Sequence, residues 1–209
     1  MYVPNNMVFV VTGDVERMKI LAQIADLWAQ RPTGELPALH FPVEAEPQAP
    51  QRAYATADIR RPRVRLAWPS TQMGDQGDYA LDVLAVILGQ GESSRLVTSV
   101  RDQGKLVTSI TAYNLSFHWG KGYFGVDAEL AVPAPTDAQQ NPEELQALAI
   151  SKAQVAIAAE IELLATQGVT PAELARAQRQ VLASVVLDAQ TAHSRASRLA
   201  RDIIATGDP

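Results

Sequence analysis

Apolar residues recur along the 209-residue chain in runs whose spacing separates strands from helices. Val8-Phe-Val-Val-Thr12 is short, β-rich and apolar nearly throughout, the pattern of a strand covered on both faces. Gly13-Asp14 closes it and offers Asp14 as a helix N-cap. Ile20, Ile24, Leu27 and Trp28 follow at helical spacing and predict an amphipathic helix over residues 15 to about 30. Residues 31–50 carry Pro32, Pro37, Pro42, Pro47 and Pro50 among three glutamates, which predicts an extended surface connection. Only one strand and one helix precede it, too little for a core of their own, so it reads as a long loop inside one domain.

Residues 63–68 alternate Arg63, Arg65 and Ala67 with Val64, Leu66 and Trp68, a strand with one buried face. Residues 75–89 are apolar nearly all round and predict a buried helix, with Gly89 in the C′ position. A glycine-containing loop to Ser94 leads into a short helix through Leu96 and Val100. Residues 107–114 and 122–129 form a predicted antiparallel hairpin; its second strand turns Phe124, Val126 and Ala128 to one side, Tyr123, Asp127 and Glu129 to the other. Asn141-Pro-Glu-Glu144 is a helix start, followed by the stripe Ile150, Ala153, Ile157, Ile161 and Leu164, and Gly168 is the stop. Thr170-Pro-Ala-Glu173 is a capping box that opens a long helical pattern towards Ala205, with a kink expected near residues 188–191. The sum is an α+β fold, an antiparallel or mixed sheet with helices packed on one face, in one domain over residues 1–209.

Composition supports a chain that buries a core: 47% of residues are hydrophobic and 20% charged. A net charge of −5 disfavours non-specific binding to nucleic acid or an anionic membrane. No stretch approaches the roughly 18 apolar residues of a membrane span. With no cysteine, disulfides, thiolate zinc sites and a cysteine nucleophile are excluded, while the compartment stays open. The chain starts just before a strand pattern and stops at a turn signal, the expectation for a domain cut from a longer protein at both ends.

Catalytic chemistry is sparse. A zinc hydrolase needs two or three His or carboxylate ligands and a base, commonly as H-E-x-x-H or H-x-x-E-H on one helix. The histidines are His40, His118 and His193, and none has a second histidine within a helical turn. Ser93 and Ser94 have no base placed by sequence, and Gly89-Gln-Gly91 follows a helix where a phosphate cradle follows a strand. Glu143, Glu144, Glu160 and Glu162 read as helix-surface carboxylates. Arg60, Arg61, Arg63 and Arg65 read as a solvated sheet face, or as a surface for an acidic peptide or a partner domain.

Three motifs in order carry a resemblance over nearly the whole chain. They are Tyr2-Val-Pro-Asn-Asn leading to Gly13-Asp14, Gly91-Glu-Ser-Ser-Arg-Leu96 after the buried helix, and Gly168-Val-Thr-Pro-Ala-Glu-Leu174. Together they resemble the second type of domain in the pitrilysin/insulinase zinc peptidases. The resemblance implies a parent of paired homologous domains enclosing a substrate chamber, with zinc and the catalytic glutamate on an H-x-x-E-H helix of another domain. It therefore implies no catalytic residue, metal ligand or cofactor in this chain, and as partners the neighbouring domains and a peptide substrate. Some members place an Arg and, seven residues later, a Tyr where they help bind substrate. Arg101 matches the first position, Thr108 breaks the second, and Arg101 is carried over as the candidate substrate contact. Residues 100–109 look more like the domain directly following the zinc domain in long bacterial members. Three functions are then in play: companion domain of an active zinc peptidase, domain of a non-peptidase relative kept for assembly, or stand-alone peptide-binding scaffold. A companion domain should keep a face for its neighbours, and Phe117, Trp119 and Tyr123 with the loop of residues 89–95 are the expected place; the alternative is that these aromatics pack on the sheet.

Overall fold

The computed structural model describes residues 2–38, 42, 45, 47–136 and 140–206. The chain divides into two compact units: Glu44–Leu182, and Met1–Val43 with Ala183–Pro209.

The larger unit is built on the hairpin. β1 (Arg63–Pro69), β2 (Val107–Phe117) and β3 (Gly120–Leu130) form an antiparallel sheet in the order β1-β3-β2, and β2 and β3 join through a two-residue turn at His118 and Trp119. Period-two alternation turns Val64, Ile110, Ala112, Phe124, Val126 and Ala128 to the same face. Against them pack α2 (Gln76–Gly89), a π-helical segment (Val97–Gln103) and α3 (Pro142–Gln167), which contribute Leu88, Val97, Val100, Ala153 and Ile157 to one apolar core. The α+β reading, with helices on one face of an antiparallel sheet, is the fold observed.

Several local signals work as expected. Asn141 Oδ1 accepts from the Glu143 amide at 2.9 Å, and Gly168 ends α3 at φ +72°. At the start of α4 (Pro171–Asp188), the Thr170 amide donates to Glu173 Oε2 at 2.8 Å and the Glu173 amide donates to Thr170 Oγ1 at 3.2 Å, a reciprocal capping box.

Others differ. Gly89 is the last helical residue of α2, with no left-handed conformation; a Cβ there would lie 2.2 Å from the Ala112 amide nitrogen, so glycine is needed for close approach of helix and strand. The left-handed residue is Gly91, at φ +88°. α2 is buried mainly at its end, from Ala85 to Gly89, while Tyr79 in its first turn is exposed. The helix after the Ser94 loop is π-wound, with the Gly104 amide donating to the Ser99 carbonyl at 2.8 Å. The kink expected near residue 190 is a full break. α4 ends at Asp188, and Thr191 Oγ1 caps α5 (Ala192–Thr206) by accepting from the Ser194 amide at 3.1 Å.

In the smaller unit, residues 8–12 join no strand ladder, and Val8, Phe9 and Val11 are exposed. The expected covered strand is corrected for a physical reason: β-propensity needs cross-strand partners, and the described ladders are all taken by β1 to β3. Instead the Phe9 ring lies 5.3 Å from Trp28, and Asn5 exchanges two hydrogen bonds with Gly34, at 2.9 and 3.0 Å. α1 (Arg17–Trp28) starts after Glu16, which gives no side-chain cap, so Asp14 is not its N-cap, and the helix has no fully buried residue.

Candidate functional site

The sheet face turned away from the helices is a lattice of charge. Arg65 lies opposite Asp127 in register and grips it with two parallel bonds of 2.7 and 2.6 Å. Glu129 takes Arg61 at 3.1 Å, Arg63 at 3.6 Å and the Thr108 hydroxyl at 3.1 Å. Hydrogen bonds from Arg65 and Arg61 hold the carboxyls of Asp127 and Glu129 below the usual carboxylate range. Tyr113 lies over Gly125, where a Cβ would come within 2.5 Å of its ring, and its hydroxyl donates to Asp127 at 3.3 Å. Burial and the neighbouring Tyr123 push the Tyr113 phenol up to about 12. Carboxylates held ionised by arginine are poor proton carriers near neutrality, so this face is suited to contact and not to acid–base work.

At the hairpin turn Trp119 stacks on Phe117 at 4.9 Å and meets the His118 ring edge-on at 4.6 Å. Gln72 donates to the His118 carbonyl at 2.7 Å and the Met73 amide to the Phe117 carbonyl at 3.1 Å, which fixes the turn. Trp119 is 55% exposed, and Phe117 and Tyr123 are half-buried, so none of the three lies in the core. The loop of residues 89–95 is held away from that turn: Gln90 donates to the Ala112 carbonyl of β2 at 3.3 Å, and Arg95 reaches the end of α3 and the start of α4. Arg95 forks onto Glu173 at 2.7 and 2.9 Å and donates to the Gly168 carbonyl at 2.9 Å. That pair joins the Ser-Ser-Arg-Leu motif to the Thr-Pro-Ala-Glu motif, so two of the recognition signals are one structural lock. The Arg95 hydrogen bond, helped by Thr170, lowers the Glu173 carboxyl to about 2.

Arg101 ends up in the last turns of the π-helical segment, donating to Asp102 at 2.8 Å and to Glu92. Thr108, seven residues on, bonds Glu129 across the sheet edge. His118 sits in the hairpin turn and His193 on α5; His40 lies outside the described residues. Among the described residues no three His, Cys, Asp or Glu side chains are grouped to hold a metal ion.

One cluster escaped the sequence reading. Buried Asp78 accepts from Asn114 Nδ2 at 2.7 Å and from the Ser116 hydroxyl at 3.2 Å, Asp82 accepts from the same Asn114 nitrogen at 3.1 Å, and Ser70 donates to Asn114 Oδ1 at 2.6 Å. Burial raises the Asp82 carboxyl. The network pins the first turns of α2 to β2. The available signal was the pairing of i, i+4 aspartates with two polar residues, Asn114 and Ser116, that continue the inward register of β2.

The family model described as Peptidase M16 inactive domain matches residues 1–181. An uncharacterized zinc protease of Streptomyces coelicolor is 26% identical over 218 residues, taking in 99% of this chain and 43% of the relative. A protease from Helicobacter pylori shares the fold with a TM-score of 0.74 at 21% identity, over 94% of this chain and 45% of that one. A peptidase M16 inactive domain from Pseudomonas fluorescens does so with a TM-score of 0.54 at 23% identity, over 81% of this chain and 37% of that one. The chain thus spans less than half the length of each of these relatives.

Proposed function

The chain belongs to the Peptidase M16 inactive domain family, and we propose that it is the non-catalytic companion domain of a longer zinc-dependent endopeptidase, helping to enclose the substrate. The observation that carries this reading is the family match, which runs through residues 1–43 of one compact unit and 44–181 of the other. More than half of the Streptomyces coelicolor zinc protease lies outside the match, room for a second domain of similar size. In this reading zinc and its H-x-x-E-H helix belong to that neighbour, because no grouping of described residues here fits the ion. The charged sheet face and the Phe117–Trp119 stack are the surfaces offered to neighbouring domains. Arg101 is a proposed peptide contact, with Glu92 and Asp102 holding its guanidinium until a peptide carboxylate or carbonyl replaces one of them.

Two measurements on the isolated chain, purified without a histidine tag, test this assignment. Metal analysis is expected to find far less than one zinc per chain. An internally quenched, unstructured peptide is expected to stay intact. One tightly bound zinc per chain, or chelator-sensitive cleavage that follows the protein through two orthogonal purification steps, would overturn the reading.

A further inference from the structure

At the open end of the hairpin, away from the His118–Trp119 turn, the entry to β2 and the exit from β3 meet the first turns of α3. Between them runs a groove of about 400 Å³. On the side of the strands it is lined by Leu106, Ala131, Val132 and Pro133, where the Ala131 amide donates to the Leu106 carbonyl at 2.9 Å. Its other wall is one face of α3: Leu145, Leu148, Ala149 and Lys152 follow at i, i+3, i+4 and i+7. Leu148 is 51% exposed, a large apolar side chain lining an open groove. Two cations stand on the lining, Lys105 and Lys152, and neither makes an ion pair among the described residues. The acid that acts on Lys105, Asp102, is itself held by Arg101 at 2.8 Å. Lys105 is moreover the one described non-glycine residue with positive φ, at +53°, held there by the bonds that close the π-helical segment. Such a conformation is strained for a residue with a side chain and survives only where the surroundings impose it.

An apolar trough with two unpaired ammonium groups suits an occupant that is apolar along its body and anionic at its end. The trough is partly open to solvent. A fatty acid lying in it would leave hydrocarbon in water, whereas a peptide buries alternate side chains and keeps its main chain hydrated. We infer that this groove binds the last two or three residues of a peptide ending in apolar side chains, with Lys105 and Lys152 receiving the free α-carboxylate. The inference rests on the companion-domain reading, since peptide-bond hydrolysis produces one new α-carboxylate for each bond cut, and this groove would then retain product in preference to the same sequence uncut.

Fluorescence anisotropy of a pentapeptide ending in Leu-Phe, dye-labelled at its amino terminus, tests the inference on the chain alone. The free acid is expected to bind at least about tenfold more tightly than the C-terminal amide. The double variant Lys105→Gln, Lys152→Gln is expected to lower the acid to the level of the amide, and since both lysines are exposed its circular dichroism should be unchanged. Leu148→Asp should weaken both peptides. Equal binding of acid and amide, binding of neither, an unaffected double variant, or octanoate displacing the dye more effectively than unlabelled peptide would each overturn it. No neighbouring domain enters this assay, so a negative result leaves the companion reading standing, and a positive one does not rescue it.

Discussion

Gly89→Ala is expected to be among the most damaging single-methyl additions available in this chain. In an ordinary helix the change would stabilise by up to about 1 kcal/mol, because glycine loses more backbone entropy on folding. Here the added Cβ would meet the Ala112 nitrogen at 2.2 Å, the Ala112 Cβ at 2.7 Å and the Thr111 carbonyl carbon at 2.8 Å. Two of those atoms are backbone in β2, so no rotamer change relieves the contact. α2 must back away from the sheet, which loosens Ala85 and Leu88 from the core they share with Ala112 and Val126. Overpacking of this kind costs about 3 kcal/mol, a large part of the roughly 5–15 kcal/mol that hold a domain folded. The urea midpoint should fall sharply at unchanged slope. Gly77→Ala is the control, since its Cβ would meet only the Thr71 methyl, at 3.2 Å. A Gly89→Ala midpoint equal to that of the parent would show that the close approach of α2 to β2 is wrong.

The Arg95–Glu173 lock should give the second-largest effect, and one that depends on pH. Both side chains are mostly covered, with 17% relative exposure each, and Glu173 also completes the cap of α4. Its folded carboxyl lies near 2 against an ordinary value of 4.5, so the folded state favours the ionised form. The stabilisation is therefore complete above about pH 5 and drains away as pH falls through the folded value, a difference of about 3 kcal/mol between those limits. Glu173→Gln should lose about 2–3 kcal/mol at pH 7 and show a flatter decline than wild type between pH 5 and 2. Arg95→Ala should lose a similar amount, because it strands a covered carboxylate and the Gly168 carbonyl. Parallel stability curves for wild type and Glu173→Gln over that acid range would refute the assigned role.

What could be read from the residues was what local chemistry decides. The Asn141 and Thr170 caps, the Gly168 stop and the alternation in β3 depend on neighbours within four positions, and each is found as expected. Residues 8–12 failed because a strand is a property of its partners; an apolar β-branched run states only that it would pair if offered an edge. A glycine after an apolar helix usually caps it, which is the expectation for Gly89, and the approach of Ala112 from 23 positions away leaves no local mark. The π-winding after Leu96 and the break at residue 189 are settled by which carbonyls the last turns reach, and side-chain periodicity does not encode that. Of the candidate surfaces, the arginine face was legible as a period-two pattern, whereas its pairing with Asp127 and Glu129 needed the register of β1 on β3. The groove beside Lys105 joins residues from 105 to 152 and was invisible in any one window.

The most direct measurement of the companion role is peptidase activity on mixing. The segment of the parent proposed to bear zinc and this chain would be produced separately, then assayed on a quenched peptide alone and together over a range of ratios. A companion domain that shapes the substrate chamber should raise the activity of the zinc-bearing segment at least about tenfold. The rise should saturate near one chain per segment and vanish with a zinc chelator, while this chain alone stays inactive. A zinc-bearing segment that is fully active by itself and unchanged by saturating amounts of this chain would contradict the role.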